Sequence, residues 1–244
     1  MKHIIWQSFL ASLAGGLLSL DRTAALQIMV SRPIVAGPLI GYILADAKTG
    51  LLIGGILELL FIGGLPLGSY IPPHEIMLTA LITAISIIGQ KALNGRGPDI
   101  FRIYDANMLF VQGFAILLII PMDAVCKKAD IIARGLNMRL FNDALSGVDK
   151  GLISVGISNL KGLVVFFILN FSTLFVLILA GVLLIYSLLP ILPTVVIMSL
   201  PWAFGAACVL SLSSAYSALY NNRSLPVFLA TTFFVVAAVA VIIR

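Results

Sequence analysis

Eight apolar runs, divided by short polar links, rule out a soluble fold for this chain. They lie at about Ile4–Leu20, Pro33–Ala45, Leu51–Leu65, Ile76–Ile88, Met108–Ile120, Leu163–Leu192, Val195–Leu219 and Leu225–Ile243. Hydrophobic residues fill 61% of the 244 positions and charged residues only 10%, whereas a soluble domain carries about 25% charged residues. So few charges cannot build a solvated shell, and in lipid every backbone polar group must be satisfied internally. The fold class is therefore an all-α polytopic integral membrane protein. At about 20 residues per simple span there is room for roughly seven to nine membrane segments. The expectation is a single membrane domain over 1–244 with no soluble catalytic domain. The first run follows Lys2 and has the look of a signal-peptide core. A cleavage site near Ala11 or Ala14 would fall inside it, so it reads as a retained first membrane helix.

The uneven lengths of the runs carry information. Pro33–Ala45 and Leu51–Leu65 are too short for ordinary spans, and Pro38, Pro66 and the Pro72-Pro73 pair punctuate the region. Short hydrophobic segments interrupted by Gly and Pro are the sequence mark of re-entrant or broken helices around a transport site. Gly37/Gly41 and Gly50/Gly54 also have the four-residue spacing that lets backbones touch. Packing accounts for the glycines but not for the charges among them. Leu163–Leu192 is too long instead: as one helix it would run about 45 Å against a hydrocarbon core near 30 Å. A tilted long helix and two pieces joined near Asn170 or Ser172-Thr173 both remain open.

Between Asp123 and Lys150 the character changes. Lys127, Lys128, Arg134 and Arg139 alternate with Ile131, Ile132, Leu136 and Leu140 at roughly helical spacing. This fits an amphipathic helix at the membrane surface or against a partner, and equally an ordinary cytoplasmic connecting helix. Clustered cations of this kind mark a cytoplasmic face. With no basic stripe interleaved with exposed aromatics, the net charge of +5 does not point to nucleic acid. Cys126 and Cys208 lack a partner motif, and no disulfide is expected.

The sequence has no phosphate-binding GxxxxGK[ST] loop, no G-x-S-x-G elbow and no metal-ligand spacing among His3, His74 and the carboxylates. No cofactor, metal or catalytic residue is expected. His74, after two prolines, reads as a loop histidine near the interface. The informative groups are polar residues within or at the edge of apolar runs. Asp21 and Arg22 end the first run, and Gln27 and Arg32 follow it. Asp46 and Lys48 lie between the short segments, where "ADAKTG" is also explained as a polar turn that caps a helix at Gly50. Glu58 lies inside "LLIGGILELLFIGG". A bare carboxylate there costs several kcal/mol, and such groups pair or line a polar pathway. Arg32 is a candidate partner for Glu58 or Asp21. Carboxylates that accept from hydroxyls, with an amide donating to others, suit a neutral sugar; a cation-coupled carrier would use Asp or Glu as well.

The stretch "LDRTAALQIMVSRPIVAGPLIGYILADAKTGLLIGGILELLFIGGLPLGSYIPPHE" resembles the signature region of the mannose/fructose/sorbose-family Enzyme IIC of the bacterial phosphoenolpyruvate-dependent sugar phosphotransferase system. The matching pieces are Leu20-Asp21-Arg22, Gln27, Ser31-Arg32-Pro33, Gly37-Pro38-Leu39-Ile40-Gly41, Asp46 with Gly50, Gly54-Gly55, Leu57-Glu58-Leu59 and Pro72-Pro73, with a weaker echo at Pro121 and "ARGLNMRL". The strong match covers residues 20–75. The sequence departs from the pattern at Ala45, where the family usually has glycine, and at "SNLKG" near Asn159, where it often has histidine.

The resemblance implies a permease subunit in the bacterial inner (cytoplasmic) membrane, paired with the membrane component IID and assembled into a larger oligomer of such pairs. It implies an elevator-type movement, with a hexose-type sugar phosphorylated by a separate IIB protein that is charged by IIA. Asp21, Gln27, Arg32 and Glu58 would line the sugar. Gly54 and Gly55 would belong to the hairpin, and Pro72 and Pro73 would shape its tip. The rival reading is a stand-alone ion-coupled secondary transporter of a small solute, with Glu58 and Asp21 as coupling sites. A lipid-modifying membrane enzyme is disfavoured because no nucleophile, base or metal cluster is in place.

Overall fold

A computed structural model describes residues 2–25, 27–62, 73–93, 107–148 and 155–218. The run Leu225–Ile243, Pro66, Pro72 and Lys150 lie outside the described residues. The described chain is helical throughout: α1 (Lys2–Thr23), α2 (Pro33–Ile43), α3 (Ala47–Phe61), α4 (Glu75–Leu93), α5 (Asn107–Leu117), α6 (Ile119–Val148), α7 (Val155–Leu188) and α8 (Thr194–Ala218). Of these, α1, α4, α7 and α8 are long and apolar enough to cross a membrane, and α5 with α6 forms a further candidate span bent by 50°.

The centre of the fold is α4. From Ile76 to Gly89 every residue is buried, Thr79, Thr83 and Ser86 included. Helices α1, α2, α3, α5 and α7 all pack on it. A helix buried all round has no polar face, as its sequence requires.

The open question of helix continuity resolves here. The long run is a single helix: α7 has 34 residues, or about 51 Å, and starts well before Leu163. Asn170 lies inside it, and its buried side-chain amide donates to Ser19 Oγ on α1 at 2.8 Å. Pro190 and Pro193 follow its end. A break at Leu118, between α5 and α6, has a clear cause. Pro121 sits in the first turn of α6, where it has no N–H to offer the Leu117 carbonyl and its ring crowds that oxygen.

The short segments form an antiparallel helical hairpin. α2 has 11 residues and α3 has 15, about 16 and 22 Å, so neither spans a membrane. Their contact is backbone on backbone. A Cβ on Gly37 would lie 2.3 Å from the Gly50 oxygen, one on Gly50 would lie 2.2 Å from the Gly37 oxygen, and one on Gly54 would lie 2.4 Å from the Pro33 oxygen. Gly55, in contrast, would meet only the tip of Ile34 at 3.9 Å. The glycine spacing therefore has a steric cause at Gly37, Gly50 and Gly54 but not at Gly55.

The helix carrying the basic residues turns its inner face, Cys126, Ala129, Asp130 and Ala133, towards the bundle. Ile131, Ile132 and Leu136, the apolar residues that marked its amphipathic pattern, point outward, with Ile132 55% exposed. Cys126 and Cys208 are free thiols on α6 and α8.

Candidate functional site

The site lies at the open end of the α2–α3 hairpin and is built from three segments. Between α1 and α2 the chain loops tightly, and Asp21 organises that loop. Its two carboxylate oxygens accept the backbone N–H groups of Ile28 (2.7 Å) and Ser31 (3.1 Å). Gln27 and Met29 hold left-handed φ angles of 54° and 66° within it. Such non-glycine residues are strained, and strain of this kind collects at functional loops. Gln27 is exposed there.

The loop delivers Arg32 to the base of the hairpin. Arg32 is the N-cap residue of α2, with Pro33 as the first helical residue. Its guanidinium holds the Glu58 carboxylate through both Nε (Nε to Oε1, 2.9 Å) and Nη2, while Nη1 lies 3.4 Å from Glu75 Oε2. The second Glu58 oxygen accepts the Ile34 N–H at 3.3 Å. Glu58 thus sits on the N-terminus of α2, where orphan N–H groups and the helix dipole favour an anion. Arg32 remains 39% exposed while Glu58 is 17% and Glu75 18% exposed, so the cation is partly accessible above two recessed carboxylates.

Glu75 was absent from the candidates read from the sequence, because "PPHE" reads as loop. The missed signal is a helix start: an acidic residue in the first turn of an apolar run after two prolines. The neighbouring histidine differs from expectation in its burial. His74 lies in the non-helical link just before α4, as expected for a loop histidine, but it is buried, only 2% exposed. Burial, with the Arg22 guanidinium nearby, pushes its imidazole down to about 3, so it is neutral at physiological pH.

The structure therefore brings Arg32 and Glu58 together. It places Asp21 beneath the loop with both oxygens on backbone N–H groups, and Gln27 on the loop's outer side. Pro73 leads into α4, and Pro72 lies outside the described residues. The turn between α2 and α3 consists of Leu44, Ala45 and Asp46, closing within three residues because α2 ends at Ile43 and α3 starts at Ala47. At that tip Asp46 caps α3, accepting from Thr49 N at 3.1 Å and Thr49 Oγ1 at 2.5 Å. Gly50 caps no helix; it lies within α3. Lys91, from the far end of α4, donates to the Leu44 carbonyl at 2.5 Å.

Comparison with known proteins decides the class. The family described as the sorbose-specific IIC component of the phosphotransferase system (EII-Sor) matches residues 5–243. The chain belongs to that family. It is a IIC-type sugar permease component, a multi-pass membrane transport subunit and not a phosphotransferase enzyme in itself. Among relatives, it is 39% identical over 100 residues to a protein of Escherichia coli K12 assigned as N-acetylgalactosamine permease IIC component 2, covering 41% of this chain and 71% of that one. It is 28% identical over 120 residues to the mannose-specific EIIC component of the same organism, covering 49% of this chain and 38% of that one. For the mannose-specific relative, then, the match spans well under half of its length. The fold is also seen in a solved complex of the mannose transporter ManYZ with microcin E492. That likeness has a TM-score of 0.56 at 22% identity and covers 98% of this chain and 87% of the other. A further solved membrane protein gives a TM-score of 0.62 at 23% identity, with the same coverage.

Proposed function

We propose that the base of the α2–α3 hairpin is the sugar site, with Glu58 as the central hydroxyl acceptor. The observation that carries this reading is the Arg32–Glu58–Glu75 arrangement: a partly exposed guanidinium over two recessed carboxylates, set on the N-terminus of a helix too short to span. Sugar hydroxyls both donate and accept, so they can bond to Glu58 and Glu75 as donors and to Arg32 or Gln27 as acceptors. Asp21 acts as the brace that fixes the loop bearing Gln27 and Arg32. The relatives are named for mannose, sorbose and N-acetylgalactosamine, which supports a hexose-type substrate. Residues 1–244 then act as one membrane domain in the bacterial cytoplasmic membrane. That domain pairs with a IID subunit, assembles further as IIC–IID pairs and moves the hairpin in an elevator-like step. The sugar is phosphorylated by a IIB protein charged by IIA.

The test is uptake. Cells lacking their own hexose systems, supplied with this chain and its IIA, IIB and IID partners, accumulate labelled hexose phosphate. With Glu58→Gln they do not, although the chain still reaches the membrane. Ion-gradient-driven uptake by the purified chain alone in liposomes would instead establish the ion-coupled carrier.

A further inference from the structure

Three successive residues at the start of α4 are tied to three different parts of the molecule. The Pro73 carbonyl accepts from Arg22 Nη2 of α1 at 3.2 Å. The His74 N–H donates to Asp123 Oδ1 of α6 at 3.3 Å. The Glu75 carboxylate meets Arg32 ahead of α2 at 3.4 Å. The first N–H groups of a helix have no partner within it, and a Ser, Thr, Asp or Asn at the N-cap usually supplies one. Here the residues before Glu75 are Pro73 and His74, which offer no such oxygen, and His74 Nδ1 is itself buried without a partner. The Glu75 N–H turns back to the Pro73 carbonyl at 3.0 Å, and the His74 N–H just ahead of α4 is taken by an oxygen from another helix.

We infer that Asp123 is a positioning residue for the sugar site: a carboxylate on α6 that holds the backbone of His74, the residue leading into α4, and so fixes the start of α4, hence Glu75, and through Glu75 the fork of Arg32. Its geometry suits the role. The break at Leu118 swings α6 so that its early turns face the start of α4, and Asp123 Oδ2 is held by Lys127 one turn on at 2.6 Å. A carboxylate anchored at one oxygen presents the other in a fixed place. The consequence is a physical link from the helix that bears the basic residues to the proposed binding residues, passing through one backbone N–H. The inference rests on the sugar-site reading for its functional half, but its structural half can be measured without any sugar.

The experiment compares Asp123→Ala and Asp123→Asn in the full chain in lipid nanodiscs. An asparagine still accepts the His74 N–H; an alanine cannot. Backbone hydrogen exchange is followed together with binding of labelled mannose, N-acetylgalactosamine and sorbose. Asp123→Ala should raise exchange at 74–79 and also at 27–34, and weaken binding of whichever probe binds by about tenfold, a usual size for coupling between sites. Asp123→Asn should stay within about twofold of the parent, and in a Glu75→Ala background the effect of Asp123→Ala on binding should vanish. Unchanged exchange at 27–34, an asparagine variant as impaired as the alanine one, or additive losses with Glu75→Ala would each overturn the inference. Glu58→Gln separates the two ideas. If it binds the probe normally, the sugar-site reading fails while the exchange data still decide the role of Asp123.

Discussion

The two ends of the α2–α3 hairpin both carry charge in an apolar setting, yet they use it differently. At the closed end, Asp46 is satisfied within its own helix by Thr49, and Lys91 closes the end of α2 through the Leu44 carbonyl. These are capping interactions, and they leave no recessed charge waiting for a partner. At the open end, Arg32, Glu58 and Glu75 come from three separate segments and meet only because the fold is assembled. A chain with so few charges shows the distinction well: a carboxylate that caps its own helix is structural, whereas one that depends on distant partners is free to exchange them for a ligand.

The largest effect should come from the seam that joins the two ends. Gly37→Ala puts a methyl group 2.3 Å from the Gly50 carbonyl, backbone that cannot swing aside, while Gly55→Ala meets almost nothing. Thermal unfolding in detergent should show a loss of about 3 kcal/mol for the first and less than about 0.5 kcal/mol for the second. Equal losses would mean the hairpin is not closed on its glycines.

At the open end, His74 makes stability depend on pH. Its imidazole is neutral in the fold, at about 3, and ordinary when unfolded, near 6.5. The unfolded chain therefore binds the proton first. Stability is complete above about pH 6.5 and falls as the pH drops from there towards 3. His74→Gln should flatten that slope in melts between pH 7 and 5.

At the closed end, Asp46→Ala removes the α3 cap and should cost about 1 kcal/mol without changing sugar affinity. An effect of similar size but opposite sign is expected at Ala45. It holds a left-handed φ of 60°, so Ala45→Gly should raise stability by about 1 kcal/mol.

Much of this was legible in the sequence, and the failures have physical reasons. The short segments were recognisable because Pro and Gly limit helix length locally, and Arg32 stood out as a candidate partner for Glu58 or Asp21 without the sequence choosing between them. The continuity of α7 was not legible. The group that satisfies the Asn170 amide, Ser19, lies 151 positions away. Glu75 was hidden because the two prolines and a histidine before it look like a loop, and only the tertiary structure buries His74. The pattern on α6 fitted an amphipathic surface helix and a connecting helix equally, and sequence periodicity cannot say that Ile131, Ile132 and Leu136 face away from the described bundle.

The central claim is that the open end of the hairpin binds and the closed end only caps. It is tested most directly by hexose affinity in two matched variants of the purified protein, Glu58→Gln and Asp46→Asn. Each removes one negative charge and keeps a hydrogen-bonding oxygen. Glu58→Gln should weaken binding by more than about tenfold, the loss of at least one charge-assisted hydrogen bond, and Asp46→Asn should leave it unchanged. Normal affinity in Glu58→Gln, or equal losses in both, would contradict the account.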